Sequence, residues 1–207
     1  MTTLKPPIAI VSLEWDVVDL VESIGAHRIL GFFDASPECA TREFRYLGTD
    51  DVWPGILSEV PDLKIALAID HPDVRKRLFD HYGSGAVVGL QSPHAHVAAR
   101  ASLGPGSIVQ RGVTVMPHAR VDAGCKLNVN CTVHHEARIG PFTTLAPGSQ
   151  ILGNVTIGER VYVGAGAVIR QRCRIGDGAV VGAGAVVVAD VPAGATVVGV
   201  PAKRRLR

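Results

Sequence analysis

The chain has 207 residues, enough for one large domain or for a small domain joined to a repeat segment. Hydrophobic residues make up 47% and charged residues 19%, which supports a well-buried core and excludes a disordered chain. Lysine and arginine number 21 against 19 acidic residues, and a net charge of +2 leaves no electrostatic footprint for nucleic acid.

The apolar stretch 8–13 is too short for a secretion signal, and Glu14 and Asp16 follow it at once. No run approaches the length of a membrane span, so a cytoplasmic protein without a membrane partner is expected. Residues 8–11 read as a first strand and 15–23 as a helix. A second strand over 28–33 ends at Asp34. Then come a helix over 51–60, a strand over 64–69, a helix over 72–82 with Pro72 in its first turn, and a last short strand over 87–90. This βαβα order predicts a small Rossmann-like parallel sheet covered by helices, a domain over 1–92 with its linker at 91–96. Ligands of such sheets bind at the carboxyl ends of the strands, near Ser12, Asp34, Ala35, Asp70 and His71. The first turn, Val11-Ser12-Leu13-Glu14-Trp15, has no glycine and hence no glycine-rich phosphate cradle. The plainer alternative is a domain that only packs against its neighbour.

From Val97 onward a step of six residues lands on Val, Ile or Leu each time, through Val115, Val133, Ile151 and Ile169 to Val187. Four residues after each stands a small or β-branched residue, such as Val113, Cys125, Ala137 or Ala179. One aliphatic and one small inward position per hexad describe a short strand and a tight corner. Three hexads close a triangular coil, so residue n stacks on n+18, and the second domain, 93–207, is an all-β left-handed parallel β-helix of about five coils. Gly140, Gly158, Gly164, Gly176 and Gly182 follow the aliphatic position, where positive φ or close approach favours glycine. Cys125, Cys131 and Cys173 occupy small inward slots in different ladders and read as buried thiols, while Cys39 lies alone in a loop. The basic stretch 203–207 reads as a solvated tail or as a phosphate contact.

Several segments carry a resemblance: Val115-Met116-Pro117-His118, Leu127-Asn128-Val129-Asn130, Val133-His134-His135-Glu136-Ala137-Arg138-Ile139-Gly140, Gly153-Asn154-Val155-Thr156-Ile157-Gly158 and Gly199-Val200-Pro201-Ala202-Lys203. With a small α/β domain before them, they resemble the sugar O-acyltransferase family of sialic-acid O-acetyltransferases. They look most like its bacterial nucleotide-amino-sugar N-acetyltransferases, such as those making N-acetylated bacillosamine and perosamine. The resemblance implies an acetyl-CoA-dependent transferase acting on the amine of a nucleotide-linked amino sugar in cell-surface polysaccharide biosynthesis. It also implies a homotrimer with the cofactor groove between neighbouring prisms.

His135 lines up with the family's catalytic base, and Glu136 with an acidic residue that raises its basicity. Adjacent residues of a flat strand face opposite ways, so this pair needs the chain to bend. Stacking puts Pro117 below His135 and Gly153 above it, His118 below Glu136 and Asn154 above. His134, between Met116 and Leu152, reads as a packed histidine. Matching positions for acetyl-CoA are Thr144, Gly153, Ala165 and Ala183, with Lys203 of the basic stretch added as a phosphate contact, and Asn128 is the best match for a sugar contact, with Asn130 behind it. The acceptor set is completed by His118, below Glu136, and by Ser12, Asp34 and Ala35 at the strand ends. Two places depart from the family: Ser12 to Trp15 replace a glycine-rich turn, and Thr144 stands where a second histidine is usual.

Competing readings are a sugar O-acetyltransferase, a trimeric metal-dependent carbonic anhydrase and a non-catalytic scaffold. The carbonic anhydrase needs three imidazoles on one zinc, and beside His118 and His135 no third ligand is evident, so no metal is expected.

Overall fold

The computed structural model describes residues 5–37 and 43–205. Cys39, expected in a loop, lies outside them, as do the last two residues of the basic C-terminal stretch.

The N-terminal unit runs β1 (Pro7–Val11), α1 (Trp15–Ile24), β2 (Arg28–Phe33), β3 (Tyr46–Gly48), α2 (Trp53–Glu59), β4 (Lys64–Leu67) and α3 (Pro72–Tyr82). The four strands form one parallel sheet in the order β3-β2-β1-β4. Period-two alternation splits β1 between two cores. Ile8 and Ile10 pack with Val17, Val18, Leu20 and Val21 of α1, whereas Ala9 and Val11 pack with Trp53, Leu78 and Tyr82 from α2 and α3. Gly25 ends α1 in the left-handed region (φ 65°), returning its N–H to the Val21 carbonyl.

Two expectations fail here. The sheet is completed by β3 (Tyr46–Gly48), which no expected strand covers: it is only three residues long and has no alternation to announce it. The apolar run 87–90 does not make a strand of this sheet: Val87 forms a single bridge to Ile65, and Leu90 has already joined the prism. The segment expected as a linker therefore lies inside the first coil, because Leu90–Gln91 pairs with Ile108–Val109.

The second unit is the triangular prism, whose rungs pair n with n+18 up to Val187, the last ones closing to n+16 at Val180–Thr196 and Ile175–Val191. Its first face runs from Leu90–Gln91 through Lys126–Leu127 and Thr144–Leu145 to Thr196–Val198, with Lys203–Arg204 added antiparallel. The second face runs from His96–Val97 through Thr132–Val133 to Val186–Val187. The third holds Ser102–Leu103, Arg120–Val121, Arg138–Ile139, Thr156–Ile157 and Arg174–Ile175. Seven parallel strands on the first face exceed the five coils expected, and at one inter-strand spacing per step they rise roughly 29 Å. The aliphatic and small positions fill one continuous core. Within it Cys125, Cys131 and Cys173 are free and buried, and burial pushes the Cys125 and Cys131 thiols up to about 12.

The glycines after the aliphatic position serve close approach, not positive φ. A Cβ on Gly140 would lie 2.5 Å from the Gly158 carbonyl carbon, and one on Gly176 would lie 2.4 Å from the Ala193 nitrogen. Left-handed backbone falls elsewhere in the hexad, at every sixth residue from Gly106 to Gly184. Asn130, Glu136 and Asn154 are among the non-glycine residues that adopt it.

The first face packs on the N-terminal unit. Arg75 of α3 is 1% exposed and reaches the prism's edge, its Nε donating to the Gly124 carbonyl and its Nη2 to that of Phe142, both at 2.7 Å. No helix among the described residues is long and apolar enough to cross a membrane.

Candidate active site

Each coil turns from the second face to the third at one corner, and one coil places His135 and Glu136 there. Val133 points into the core, and Glu136 takes the left-handed conformation at φ 60°. That turn is the bend the pair requires: it brings the carboxylate round beside the preceding imidazole. His135 Nδ1 lies 3.1 Å from Glu136 Oε2, and Asn154 Nδ2 donates to the same oxygen at 3.2 Å. Backbone rungs fix the corner, from the Glu136 N–H to the Pro117 carbonyl and from the Asn154 N–H to the His135 carbonyl. The hydrogen bond with His135, then that from Asn154, hold the Glu136 carboxyl below its ordinary range, with the charges of His135 and His118 adding to them. Both side chains are about half exposed, 52% and 56%.

Above the imidazole lies Gly153. A Cβ there would meet Cε1 and Nε2 of His135 at 2.7 Å, so only glycine leaves the ring this position. The ring lines an open depression with Leu152, Gln171 and Arg172. His134 borders it too, its ring centroid 6.4 Å from that of His135, and is half-buried where a packed histidine was expected. His118 is exposed in the corner one coil below, at φ 63°. Asn154, seen in the sequence only as a stacking neighbour, is a direct partner of Glu136.

The other expected residues lie elsewhere. Asn128 is 3% exposed on the first face and donates to Asp70 Oδ1 at 3.1 Å. Thr144, one coil above Lys126, is fully buried, and its hydroxyl donates to the Asp70 carbonyl at 2.6 Å. Both side chains are thus engaged between the two units, away from the His135 corner. Asn130, Ala165 and Ala183 are exposed at the corner between the first and second faces, whereas Gly153 lies at the other edge of the second face. Lys203 is exposed on the terminal strand.

Ser12, Asp34 and Ala35 gather at the carboxyl ends of β1 and β2. The Ser12 N–H donates to the Phe33 carbonyl at 2.9 Å, and Ser12 itself is left-handed (φ 61°), in a conformation that favours glycine. The Asp34 N–H donates to the Gly48 carbonyl. At the neighbouring gap, where the strand order reverses between β1 and β4, the fully buried Lys126 inserts from the prism. Its Nζ lies 2.5 Å from Glu14 Oε2 and 2.9 Å from Asp70 Oδ1, and it donates to the Ala68 carbonyl. The clue in the sequence was its column, Ile108, Lys126, Thr144, Tyr162 and Val180, too apolar for a solvated face. Among the described residues no group of three or more His, Cys, Asp and Glu is placed to hold a metal ion.

Within one chain, then, the His135 corner and the strand-end residues stand on opposite sides of the prism: the corner joins the second and third faces, and the N-terminal sheet rests on the first.

The family described as "Bacterial transferase hexapeptide (six repeats)" matches residues 136–171 and 154–189. GDP-perosamine N-acetyltransferase of Escherichia coli O157:H7 is 34% identical over 148 residues, spanning 68% of this chain and 67% of that protein. The acetyltransferase domain of PglB from Neisseria gonorrhoeae superposes with a TM-score of 0.91 at 29% identity, over 97% of this chain and all of that one. PerB from Caulobacter crescentus, solved with CoA and GDP-perosamine, gives 0.87 at 29% identity, over 97% of both chains.

Proposed function

The chain belongs to the bacterial hexapeptide-repeat transferase family, and from that premise we propose that it is an acetyl-CoA-dependent N-acetyltransferase acting on the amine of a nucleotide-linked amino sugar, with His135 as general base. One observation carries the role of His135: Nδ1 is taken by Glu136, while Nε2 stands over Gly153, where no side chain intrudes. With its proton on Nδ1 toward the carboxylate, the ring presents a lone pair on Nε2 to the depression.

Acetyl-CoA supplies the acyl thioester. As the acceptor nitrogen bonds to the acyl carbon, Nε2 takes the proton it sheds and can return it to the departing thiolate. Glu136, ionised at neutral pH, stabilises the imidazolium that forms, and Asn154 holds the carboxylate in place. The bare Gly153 beside the ring leaves room for the thioester arm, and the exposed Ala165 and Ala183 on the opposite edge suit its passage along a neighbouring prism.

The acceptor's nucleotide is assigned to the 1–92 unit, at Ser12, Asp34 and Ala35, and the chemistry to 93–207. That one chain holds these on opposite sides of its prism supports a site shared between chains, which we read, with the family resemblance, as a homotrimer in which one chain's strand ends face the next chain's His135 corner. Its substrates place it in the cytoplasm, on a route to cell-surface polysaccharide. Thiol release from acetyl-CoA, measured across a panel of nucleotide-linked amino sugars and their hydroxyl analogues, tests the reading. No release with any amine would sink it.

A further inference from the structure

We propose that the outer side of the third face is a diphosphate-binding strip, built by Arg120, Arg138 and Arg174 beside the His135 corner. The proposal rests on the acyl-transfer reading only for what brings a diphosphate there.

The register stacks the strip. Arg120 pairs with Arg138, Arg138 with Thr156, and Thr156 with Arg174. All three arginines are exposed, and among the described residues none has an ion pair or a side-chain hydrogen bond. Arg120 and Arg138 stand on adjacent coils about 4.8 Å apart, an arrangement in which like charges repel and which is unfavourable unless an anion lies between. The nearby carboxylates do not fill that role. Glu136 is held by His135 and Asn154, Asp190 accepts the backbone N–H of Arg174, and Asp122 makes no ion pair with Arg120. The surface is concave there, with Thr156 and Arg174 on the wall of a depression that reaches Glu136.

Three features point to a diphosphate. Guanidinium forks bind phosphoryl oxygens in pairs, and two forks one coil apart span two linked phosphoryl groups. The N-terminal sheet offers little for this charge: its first turn has Ser12 in place of a glycine cradle, and Lys126, at the strand ends, already has Glu14, Asp70 and the Ala68 carbonyl on its ammonium. The strip also begins two residues from Glu136, so an anion held on it is anchored beside the reacting amine or thioester. Both the acceptor and CoA carry a diphosphate, and the experiment separates them.

Arg138→Ala and the double variant Arg120→Ala/Arg138→Ala are compared with wild type and with Arg138→Lys. Titration with inorganic pyrophosphate is followed calorimetrically, and KM is measured for the acceptor and for acetyl-CoA. Pyrophosphate binding should weaken about tenfold or more in the double variant, fall with added salt, and be partly kept by lysine. A rise in acceptor KM alone identifies the acceptor's diphosphate. A rise in acetyl-CoA KM that vanishes with an acetyl thioester of pantetheine identifies that of CoA. If pyrophosphate binds wild type and double variant alike and neither KM moves, the strip is not a diphosphate site. If wild type shows no acetyl transfer, the acyl-transfer reading falls, and the pyrophosphate titration still decides the strip by itself.

Discussion

The imidazole of His135 and the α-carbon of Gly153 are in contact across one coil of the prism, with no room between them for a methyl group. Gly153 is not left-handed, so alanine fits its backbone and the ring has to turn aside instead. Gly153→Ala should therefore leave the melting temperature near that of wild type. Turnover should fall on the order of 10²-fold, the usual penalty of a misplaced reacting group. Turnover within threefold of wild type would show that the ring's position is immaterial.

His135→Ala should lower turnover by roughly 10²–10⁴-fold while acetyl-CoA still binds, as measured by calorimetry. Glu136→Gln should lower it less. Because the Glu136 carboxyl is held below 4.5, its pairing with His135 is present at higher pH and is lost only as pH falls through that depressed value. Any fall in rate between pH 7 and pH 4.5 thus belongs to another group, and Glu136→Gln should retain it. A pH–rate profile of the variant that stays flat over this range would overturn the assignment.

Lys126 is the buried member of its cluster, while Glu14 and Asp70 keep 31% and 44% of their side-chain exposure. Removing a buried partner strands its counter-charges, and here water reaches both, so Lys126→Ala should cost about 3 kcal/mol, read by urea denaturation. Burial raises the Glu14 carboxyl above its ordinary range, outweighing the attraction of Lys126. A carboxyl raised in the folded state adds stability at pH below its unfolded value, and that stability is lost as pH rises through the folded one. Glu14→Gln should accordingly flatten this decline above pH 4.5. An unaltered pH dependence would contradict it.

Ser12→Gly removes the Cβ from a left-handed residue and should stabilise the chain by up to about 1 kcal/mol. It also restores a glycine to the first turn, so binding of a free nucleoside diphosphate should hold or tighten. Destabilisation would mean that the serine hydroxyl is needed there.

Light scattering should give three times the 21.8 kDa chain mass at working concentration. A monomer that turns over at full rate would refute a site shared between chains, since each chain's strand ends and His135 corner are separated by its own prism.

What could be read from the chain alone was whatever repeats locally. Along the body of the prism a residue meets its neighbours at n±18, so a six-residue period is enough to place Val133 in the core and to set Gly153 over His135 and Asn154 over Glu136. The strand–helix order of the first unit was legible for the same reason, down to the bounds of Arg28–Phe33 and Pro72–Tyr82. Only the tertiary structure decided the rest. The left-handed turn at Glu136 comes from the corner geometry it shares with His118, Asn154 and Arg172 on neighbouring coils, not from any preference of glutamate. The three-residue strand Tyr46–Gly48 exists because β2 offers it an edge. Asn128 and Thr144, which suit a ligand by type, are turned instead to Asp70, because the face that carries them is the one the N-terminal unit covers. Which face is covered depends on contacts between residues far apart in the chain, such as Lys126 with Glu14, 112 positions away, and Arg75 with Gly124, 49 positions away, and no local period records them.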